Sequence, residues 1–385
     1  MRLDSVLRGN SLKLVLFATV TPLASIFGSG FLIIVPVLER TLGAWSVAGA
    51  AAVCALAWVI GTAVRHCVRV VEPLAMSGRL DSTTARMDRV ADAVIAVAYI
   101  ISVALYLRIM AEYLVRLFSP AGSLQWEKLI ACLSVVVIMS IGIRRGFHGL
   151  ELLERAALGV VLALTFALGL SLLVHDGREL LGPGLTLPPV PDVSWWQVFL
   201  VLGGIVITVQ GFETVRYLYA DYNAETRILA SRLAQIIATI VYISFVAVAT
   251  PVMGLGTAAG PDNTLLEITR RVAPLLTIPL VISAVLSQFS AATADTAAAE
   301  GNLGGMREWM TGARPYLVSG GAAIALAATV DTFWIIAIAS RAFAAYYAFQ
   351  SIIALRTSTQ LARKIGYGAL AALMIAVTLL AEPAG

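Results

Sequence analysis

Two short clusters of glycine and polar residues interrupt long apolar stretches of this sequence. The first holds Ser25, Gly28, Ser29 and Gly30, and the second holds Gln210, Gly211, Phe212 and Glu213. Glycine disfavours a continuous helix, and a glutamine beside a glutamate is costly within a membrane. Broken backbone at membrane depth is tolerated only where it lines a cavity or is buried by protein. Both clusters are therefore predicted to be helix breaks that line a binding cavity.

Other polar residues inside apolar stretches could contact an ion. Ser290 and Thr293 are three residues apart and face the same way on a helix, so their hydroxyls could bind a cation together. They could equally hydrogen-bond to carbonyls of their own helix. Arg341 is expected near mid-depth, where an arginine needs a carboxylate or a substrate anion. Asp295 is expected nearer the cytoplasm, where it would neutralise a loop arginine.

The elements that position these residues must be membrane helices, because the composition is too apolar for a soluble domain. Of the 385 residues, 59% are hydrophobic and 13% are charged, and the mean hydropathy is +0.88. Soluble domains carry about 25% charged residues. The net charge of +4 fits basic cytoplasmic loops, so no nucleic-acid partner is predicted. The expected surroundings are the lipid bilayer of the plasma (inner) membrane.

Eleven stretches are long enough to span a membrane, which takes roughly 20 mostly apolar residues, and the very short turn near Asp331 leaves ten or twelve as alternative counts. They are 12–37, 41–64, 88–118, 126–144, 149–174, 195–221, 228–256, 273–299, 314–331, 332–356 and 365–382. Alternate loops hold seventeen Lys and Arg on one side and six on the other. By the positive-inside rule, the N-terminus is cytoplasmic and the C-terminus is outside.

The first ten helices are predicted to form two five-helix repeats within one transporter domain, residues 1–385. The repeats are 12–174 and 195–356, and 365–382 is an additional helix. Because five is odd, the second repeat is inverted, and the two breaks fall in the equivalent first and sixth helices. Paired breaks of this kind indicate the binding site of a transporter. Alternatively, Gly28 and Gly30 permit close helix packing.

Both clusters resemble signatures of the amino acid–polyamine–organocation (APC) superfamily. Residues 26–31, Ile-Phe-Gly-Ser-Gly-Phe, are similar to that family's first-helix motif, and residues 211–227 resemble its sixth helix and following loop. The sequence departs from the family where Ala220-Asp221 replaces an acidic pair and Ala224 replaces a proline. The resemblance implies an all-α membrane fold of the sodium-coupled leucine transporter type, with five plus five inverted helices.

The resemblance also implies a substrate site. Backbone N–H groups of Ser29 and Gly30 would bind a carboxylate, since a broken helix directs the positive end of its second half into the cavity. The Ser25 and Ser29 hydroxyls would assist. Glu213 would pair with a substrate amine, carry protons, or form an ion pair with Arg216 one turn away. Further pocket residues would be Gln210, Gly211 and Phe212, with Tyr99, Tyr106 and Tyr346 as candidates on other helices.

A sodium site follows from the same resemblance. Sodium-coupled relatives coordinate the ion with carbonyls of the first helix and hydroxyls of the eighth, which here would be Ala24, Phe27, Ser290 and Thr293. Some proton-coupled relatives have a lysine in the fifth helix, and residues 156–170 contain none. Sodium coupling, exchange, and a proton route through a carboxylate (Glu213, Asp295 or Glu112) stay open.

The predicted function is secondary active transport of amino acids or related small zwitterions, with Na⁺ as a candidate coupling ion. The alternative is transport of an inorganic ion or an organic amine on the same fold. A divalent metal is disfavoured because the first cluster lacks the carboxylate of the related metal transporters. An enzyme is disfavoured because the three histidines fall at loops or helix ends and no HExxH pattern occurs. The predicted partner is a small-molecule substrate, and the oligomeric state is not specified.

Overall fold

The protein folds as a bundle of helices in the computed structural model, which describes residues 10–119, 122–182, 184–256, 264–306 and 309–380. These ranges contain no β-strand. The helices are α1 (Asn10–Leu42), α2 (Ser46–His66), α3 (Glu72–Met76), α4 (Ser82–Phe118), α5 (Leu124–Leu181), α6 (Trp195–Gly204), α7 (Ala224–Ala249), α8 (Thr264–Val272), α9 (Thr277–Met306), α10 (Arg314–Thr329), α11 (Thr332–Thr357) and α12 (Leu361–Leu380). A π-helical turn, Cys67–Val71, joins α2 to α3.

Side-chain caps fix where several helices begin. Asp81 precedes α4 and its carboxylate accepts a hydrogen bond from the Thr84 N–H at 3.0 Å. The hydroxyl and N–H bonds from Thr84 lower the pKa of the Asp81 carboxyl to about 2. Ser194 forms a reciprocal capping box at the start of α6. Asn223 caps α7 by accepting a bond from the Thr226 N–H at 2.9 Å.

The helices agree with an all-α membrane protein. Each of the eleven predicted ranges overlaps a helix, and eight segments of the described residues are long and apolar enough to cross a membrane. The predicted separation near Asp331 is confirmed, because α10 ends at Thr329 and α11 begins at Thr332. α5 covers the fourth and fifth predicted helices and bends at Gly146, whose φ of 61° favours glycine. The repeats 12–174 and 195–356 and the total number of crossings stay predictions.

The predicted break in the sixth helix is confirmed. α6 ends at Gly204 and is followed by two 3₁₀ segments, Ile205–Val209 and Phe212–Tyr217, on either side of Gln210 and Gly211. Gly211 has a φ of 128°, and a Cβ at this position would lie 2.8 Å from the Cβ of Ser25. Glycine is thus required both by the backbone conformation and by the close approach of α1.

The predicted break in the first helix is wrong, because α1 is continuous from Asn10 to Leu42. The glycines serve close packing instead. A Cβ on Gly28 would lie 1.9 Å from the Cβ of Ala291, and one on Gly30 would lie 1.9 Å from the carbonyl oxygen of Thr208. Their missing side chains let α9 and the broken sixth helix approach the α1 backbone.

The centre of the bundle lies where α1, α4 and α9 meet the broken segment. α9 packs against α1, α4 and α5, and α4 packs also against α11. α1 packs against α7 and against both 3₁₀ segments. The polar residues of the two sequence clusters therefore meet in the interior of the bundle, away from its lipid-facing surface.

Candidate functional site

Asp295 of α9 lies at the centre of the bundle. Its side chain is fully buried, the hydroxyl of Ser25 on α1 donates to its Oδ1 at 2.7 Å, and the hydroxyl of Ser102 on α4 donates to its Oδ2. The expectation that Asp295 neutralises a loop arginine is therefore wrong. α9 continues to Met306, so Asp295 lies deeper in the helix than predicted.

Ser102 has a second acceptor within reach. Its hydroxyl lies 2.9 Å from the carbonyl oxygen of Tyr99, one turn earlier on α4. A serine hydroxyl carries one hydrogen and two acceptor lone pairs. The hydrogen of Ser102 can thus point to Asp295 or to Tyr99, but only to one of them at a time.

Glu213 is the second buried carboxylate of the site. Its Oε2 accepts hydrogen bonds from the N–H of Gly211 at 2.8 Å and from the hydroxyl of Tyr347 on α11 at 2.9 Å. Its Oε1 has no hydrogen-bond partner among the described residues. The predicted alternative of an ion pair with Arg216 does not occur here, because Arg216 bonds to Asp88 instead.

The other residues of the second cluster also face the centre. The side-chain amide of Gln210 donates to the hydroxyl of Tyr106 on α4, and the ring of Phe212 stacks on Tyr347 with centroids 5.5 Å apart. The Oε1 of Gln210 is buried and without a partner in the described ranges. The structure thus brings Gln210, Gly211, Phe212 and Glu213 together with Ser25 and Asp295. The side chain of Ser29 lies outside the described residues.

The residues of the predicted sodium site have mixed environments. The hydroxyl of Ser290 is buried and lacks a partner within the described ranges, whereas Thr293 donates to the Phe289 carbonyl of its own helix at 2.7 Å. Ala24 and Phe27 are buried in α1, whose helix is continuous. The hydroxyl of Thr293 is therefore used within its own helix, as the alternative to a sodium site predicted. Ser290 keeps an oxygen free for a cation.

Arg341 does not join the cluster. It lies on an exposed face of α11, while Phe343, Tyr346 and Tyr347 of the same helix point into the bundle. Apolar residues occur on every side of α11, and Gln350 and Ser351 are buried, so its sequence does not reveal which face is buried.

The electrostatics of the centre are dominated by two carboxylates. Within the described residues, neither Glu213 nor Asp295 has an ion pair with an Arg, Lys or His side chain. A buried ionised carboxylate without a cation is costly, so the group must be protonated or bind a cation. The described residues contain no group of three or more His, Cys, Asp or Glu side chains that could hold a metal.

An aromatic layer separates this centre from a cavity of about 540 Å³. Tyr217 lines the cavity, and its hydroxyl lies 3.4 Å from that of Tyr346. The Tyr346 ring packs on Tyr347, which holds Glu213. On the other side, the ring of Tyr217 packs edge-on against Tyr99 with centroids 6.0 Å apart. The centre is thus closed toward this cavity.

Ion pairs line the same cavity. Arg216 bonds to Asp88 and lies 3.9 Å from Asp92, and Arg227 bonds to Glu72 at 2.6 Å. These pairs connect the broken segment and α7 to α4 and α3. The cavity lies on the side that the distribution of basic residues predicts to be cytoplasmic.

Several residues of the centre were not singled out by the sequence. Ser102 is an isolated hydroxyl in an apolar stretch of α4, and Gln288 is an amide within a largely apolar helix, which are usable signals. Gln288 donates to the carbonyl oxygen of Gly28. Tyr347 carries no such signal, because an aromatic residue in an apolar helix is ordinary packing. The candidates Tyr99, Tyr106 and Tyr346 are all fully buried in this region.

Comparison with known proteins identifies the family. Residues 11–381 match the family model of an APC superfamily transporter, and the chain belongs to this superfamily. An uncharacterized protein of Aquifex aeolicus is 34% identical over 340 residues, which are 87% of this chain and 82% of that protein.

Solved structures of transporters have a similar fold. Mhp1, a nucleobase-cation-symport-1 family transporter in a closed conformation with bromovinylhydantoin bound, gives a TM-score of 0.58 at 14% identity and covers 96% of this chain and 91% of Mhp1. A manganese transporter of Eremococcus coleocola, in complex with an aromatic bis-isothiourea substituted compound, gives 0.56 at 11% identity, with 97% and 86% coverage. At such identities the likeness extends to the fold alone. This protein is therefore an integral membrane transporter with an APC-type fold.

Proposed function

We propose that the protein is a secondary active transporter of a small organic solute that carries an ammonium group, either an amino acid or an organic amine. It works by alternating access around the broken sixth helix. The observation that carries the proposal is the pair of buried carboxylates, Asp295 and Glu213, with no cationic side chain bonded to either one in the described ranges.

The charge of the site favours a cationic group on the substrate. An ammonium group offers hydrogen-bond donors, which match the free Oε1 of Glu213 and the unpartnered Oε1 of Gln210. The positive charge of an amine offsets the negative charge of one of the two carboxylates. A zwitterionic amino acid has no net charge and needs N–H donors for its own carboxylate. Because α1 is continuous, those donors must come from the broken sixth helix or from a local opening of α1.

The remaining negative charge requires a coupling cation. We assign this role to Na⁺ or to a proton on Asp295 or Glu213. The free hydroxyl of Ser290 supports a sodium site on α9, while the hydroxyl partners of Asp295 fit either a carboxylate or a protonated carboxyl group.

The experiment is uptake of labelled amino acids and amines by purified protein in proteoliposomes. Each solute is offered with a sodium gradient, with a proton gradient, or with neither. We expect saturable uptake of at least one ammonium-bearing solute. Asp295→Asn and Glu213→Gln should each lower uptake by about 10-fold or more, because a hydrogen bond to a charged group contributes about 1.5–3 kcal/mol.

The matched control is Glu267→Gln, which removes a carboxylate from a half-exposed pair with Arg271 on α8. Its uptake should equal that of the wild type. Wild-type uptake in both site variants would refute the proposed site. Transport restricted to solutes without an ammonium group would refute the proposed substrate class.

A further inference from the structure

A second cavity, of about 310 Å³, is rich in arginine. Arg65 and Arg69 lie at the end of α2 and in the π-helical turn, Arg232 on α7 and Arg363 on α12. None of its lining residues, all in the described ranges, is acidic. It is separate from the carboxylate centre, which lies among α1, α4 and α9.

Arg65 is fixed in place as the inner wall of this cavity. Its side chain is 5% exposed, and its guanidinium bonds to the side-chain oxygen of Gln235, to the carbonyl of Trp58 at 3.3 Å and to the Ser231 hydroxyl at 3.4 Å. The guanidinium also lies 4.8 Å from the centroid of the Trp58 ring. All of these partners are neutral, so the positive charge is not compensated by them.

The other three arginines add like charge at the mouth. Arg69, Arg232 and Arg363 are exposed, and within the described residues they have no carboxylate partner. Arg65 experiences the repulsion of Arg69 and Arg232. Converging cations without a counter-charge are unfavourable in an apolar surrounding, and an anion in the cavity would relieve the repulsion.

The remaining walls are also ordered. The imidazole of His66 is hydrogen-bonded to the Thr357 hydroxyl at 3.0 Å, and its ring packs on Tyr367 with centroids 5.5 Å apart. Tyr367 also lines the cavity, whose walls therefore come from three helices, α2, α7 and α12, and from the π-helical turn.

We propose that this basic cavity binds the phosphate group of an anionic ligand. Guanidinium groups present paired N–H donors that match phosphate oxygens, and several arginines can share one phosphate. Exposed apolar residues point to a phospholipid headgroup as the source. Trp58, which lines the cavity, is 37% exposed; Val59, which follows it in the sequence, is 46% exposed; and Ile365, two residues after the lining residue Arg363, is 65% exposed. Acyl chains could lie along these residues while the headgroup occupies the cavity. A soluble phosphate is the other source.

The test compares anions on the purified transporter in a neutral detergent. Two comparisons are made. One titrates phosphatidylglycerol against phosphatidylcholine with the same acyl chains, and the other titrates inorganic phosphate against chloride at equal ionic strength. Binding is measured by native mass spectrometry for the lipids and by melting temperature for all four. The triple variant Arg69→Gln, Arg232→Gln, Arg363→Gln should bind the anion on the order of 100-fold more weakly, at about one order of magnitude per one to two arginines.

The control triple variant is Arg79→Gln, Arg144→Gln, Arg145→Gln, which removes the same charge from exposed positions on the same predicted side. Selective loss of phosphatidylglycerol binding in the cavity variant supports the site with a lipid as its ligand. Selective loss of the inorganic phosphate response supports it with a soluble ligand. Equal binding of the two lipids without a phosphate response, or equal losses in both triple variants, would overturn the proposal. If the triple variant does not fold, the single variant Arg363→Gln is compared with Arg79→Gln in the same binding measurements, and the same outcomes decide the proposal.

Discussion

The two buried carboxylates have different kinds of partners. Asp295 is held by hydroxyls from α1 and α4, whereas Glu213 is held by the backbone of its own broken segment and by Tyr347 of α11. All of these donors are neutral. Because no cationic side chain is bonded to either carboxylate in the described residues, a bound cation does not have to displace one. The centre is therefore suited to reversible binding.

Ser290 and Thr293 allow the sodium hypothesis to be tested at single residues. If Na⁺ couples transport, Ser290→Ala should raise the sodium concentration for half-maximal uptake by about 10-fold, because it removes an oxygen that has no partner among the described residues. Thr293→Ala should have a smaller effect, since that hydroxyl bonds to its own helix. The measurement is initial uptake rate against sodium concentration. An unchanged sodium response in Ser290→Ala would mean that its hydroxyl is not a ligand.

At the residue scale, the sequence predicted part of the site. Ser25, Gln210 and Glu213 were found because polar residues are rare and costly in apolar helices. Asp295 was found but misinterpreted, because its depth was judged from a helix end placed too early. Arg341 was expected near the site, yet an apolar helix does not encode which of its faces is buried.

Among the elements, α1 and the broken sixth helix use glycine for different purposes. Gly211 occupies a backbone conformation that glycine favours, whereas Gly28 lies within a regular helix and makes room for Ala291 of α9. Both uses produce similar patterns in the sequence. The difference depends on a neighbour that is distant along the chain, which explains why only one of the two predicted breaks was correct.

The packing role of Gly28 predicts a specific pair of substitutions. Gly28→Ala should destabilise the protein by about 1–3 kcal/mol, because the new methyl group overlaps with that of Ala291. Adding Ala291→Gly should restore much of the loss. The measurement is the melting temperature in detergent. Gly321→Ala on α10, where the new Cβ has open space, is the control and should be neutral or stabilising. A neutral Gly28→Ala would contradict the close contact.

At the scale of the whole molecule, the aromatic layer closes the centre toward one side, and the two cavities described above both lie on that side. The 540 Å³ cavity reaches Tyr217, which belongs to the aromatic layer between the cavity and Glu213, and the 310 Å³ cavity is lined by arginines. The distribution of Lys and Arg predicts that this side is cytoplasmic. Substrate would then leave or enter the cell interior past Tyr217 and the Arg216–Asp88 pair.

The orientation can be measured by cysteine labelling in cells. The parent variant has alanine in place of Cys54, Cys67 and Cys132, and a single cysteine is added at an exposed loop position. Leu187→Cys should react with a membrane-impermeant maleimide in intact cells, whereas Ser77→Cys should react only after permeabilisation. These residues lie in loops that the charge distribution assigns to opposite sides. The reverse labelling pattern would show that the predicted topology is inverted.

The hydroxyl of Ser102 has a consequence for how the site changes between its states. When Asp295 is ionised, the hydrogen of Ser102 points to the carboxylate. When Asp295 is protonated, the hydrogen of Ser102 can rotate to the carbonyl of Tyr99 at 2.9 Å, and the freed lone pair can accept a hydrogen bond from the carboxyl group. A cation between the two side chains would be contacted by the same lone pair. Rotation about a single C–O bond converts a donor into an acceptor while every heavy atom stays in place. If Asp295 takes up a proton or a cation during transport, as proposed above, the change requires little reorganisation of the surrounding protein.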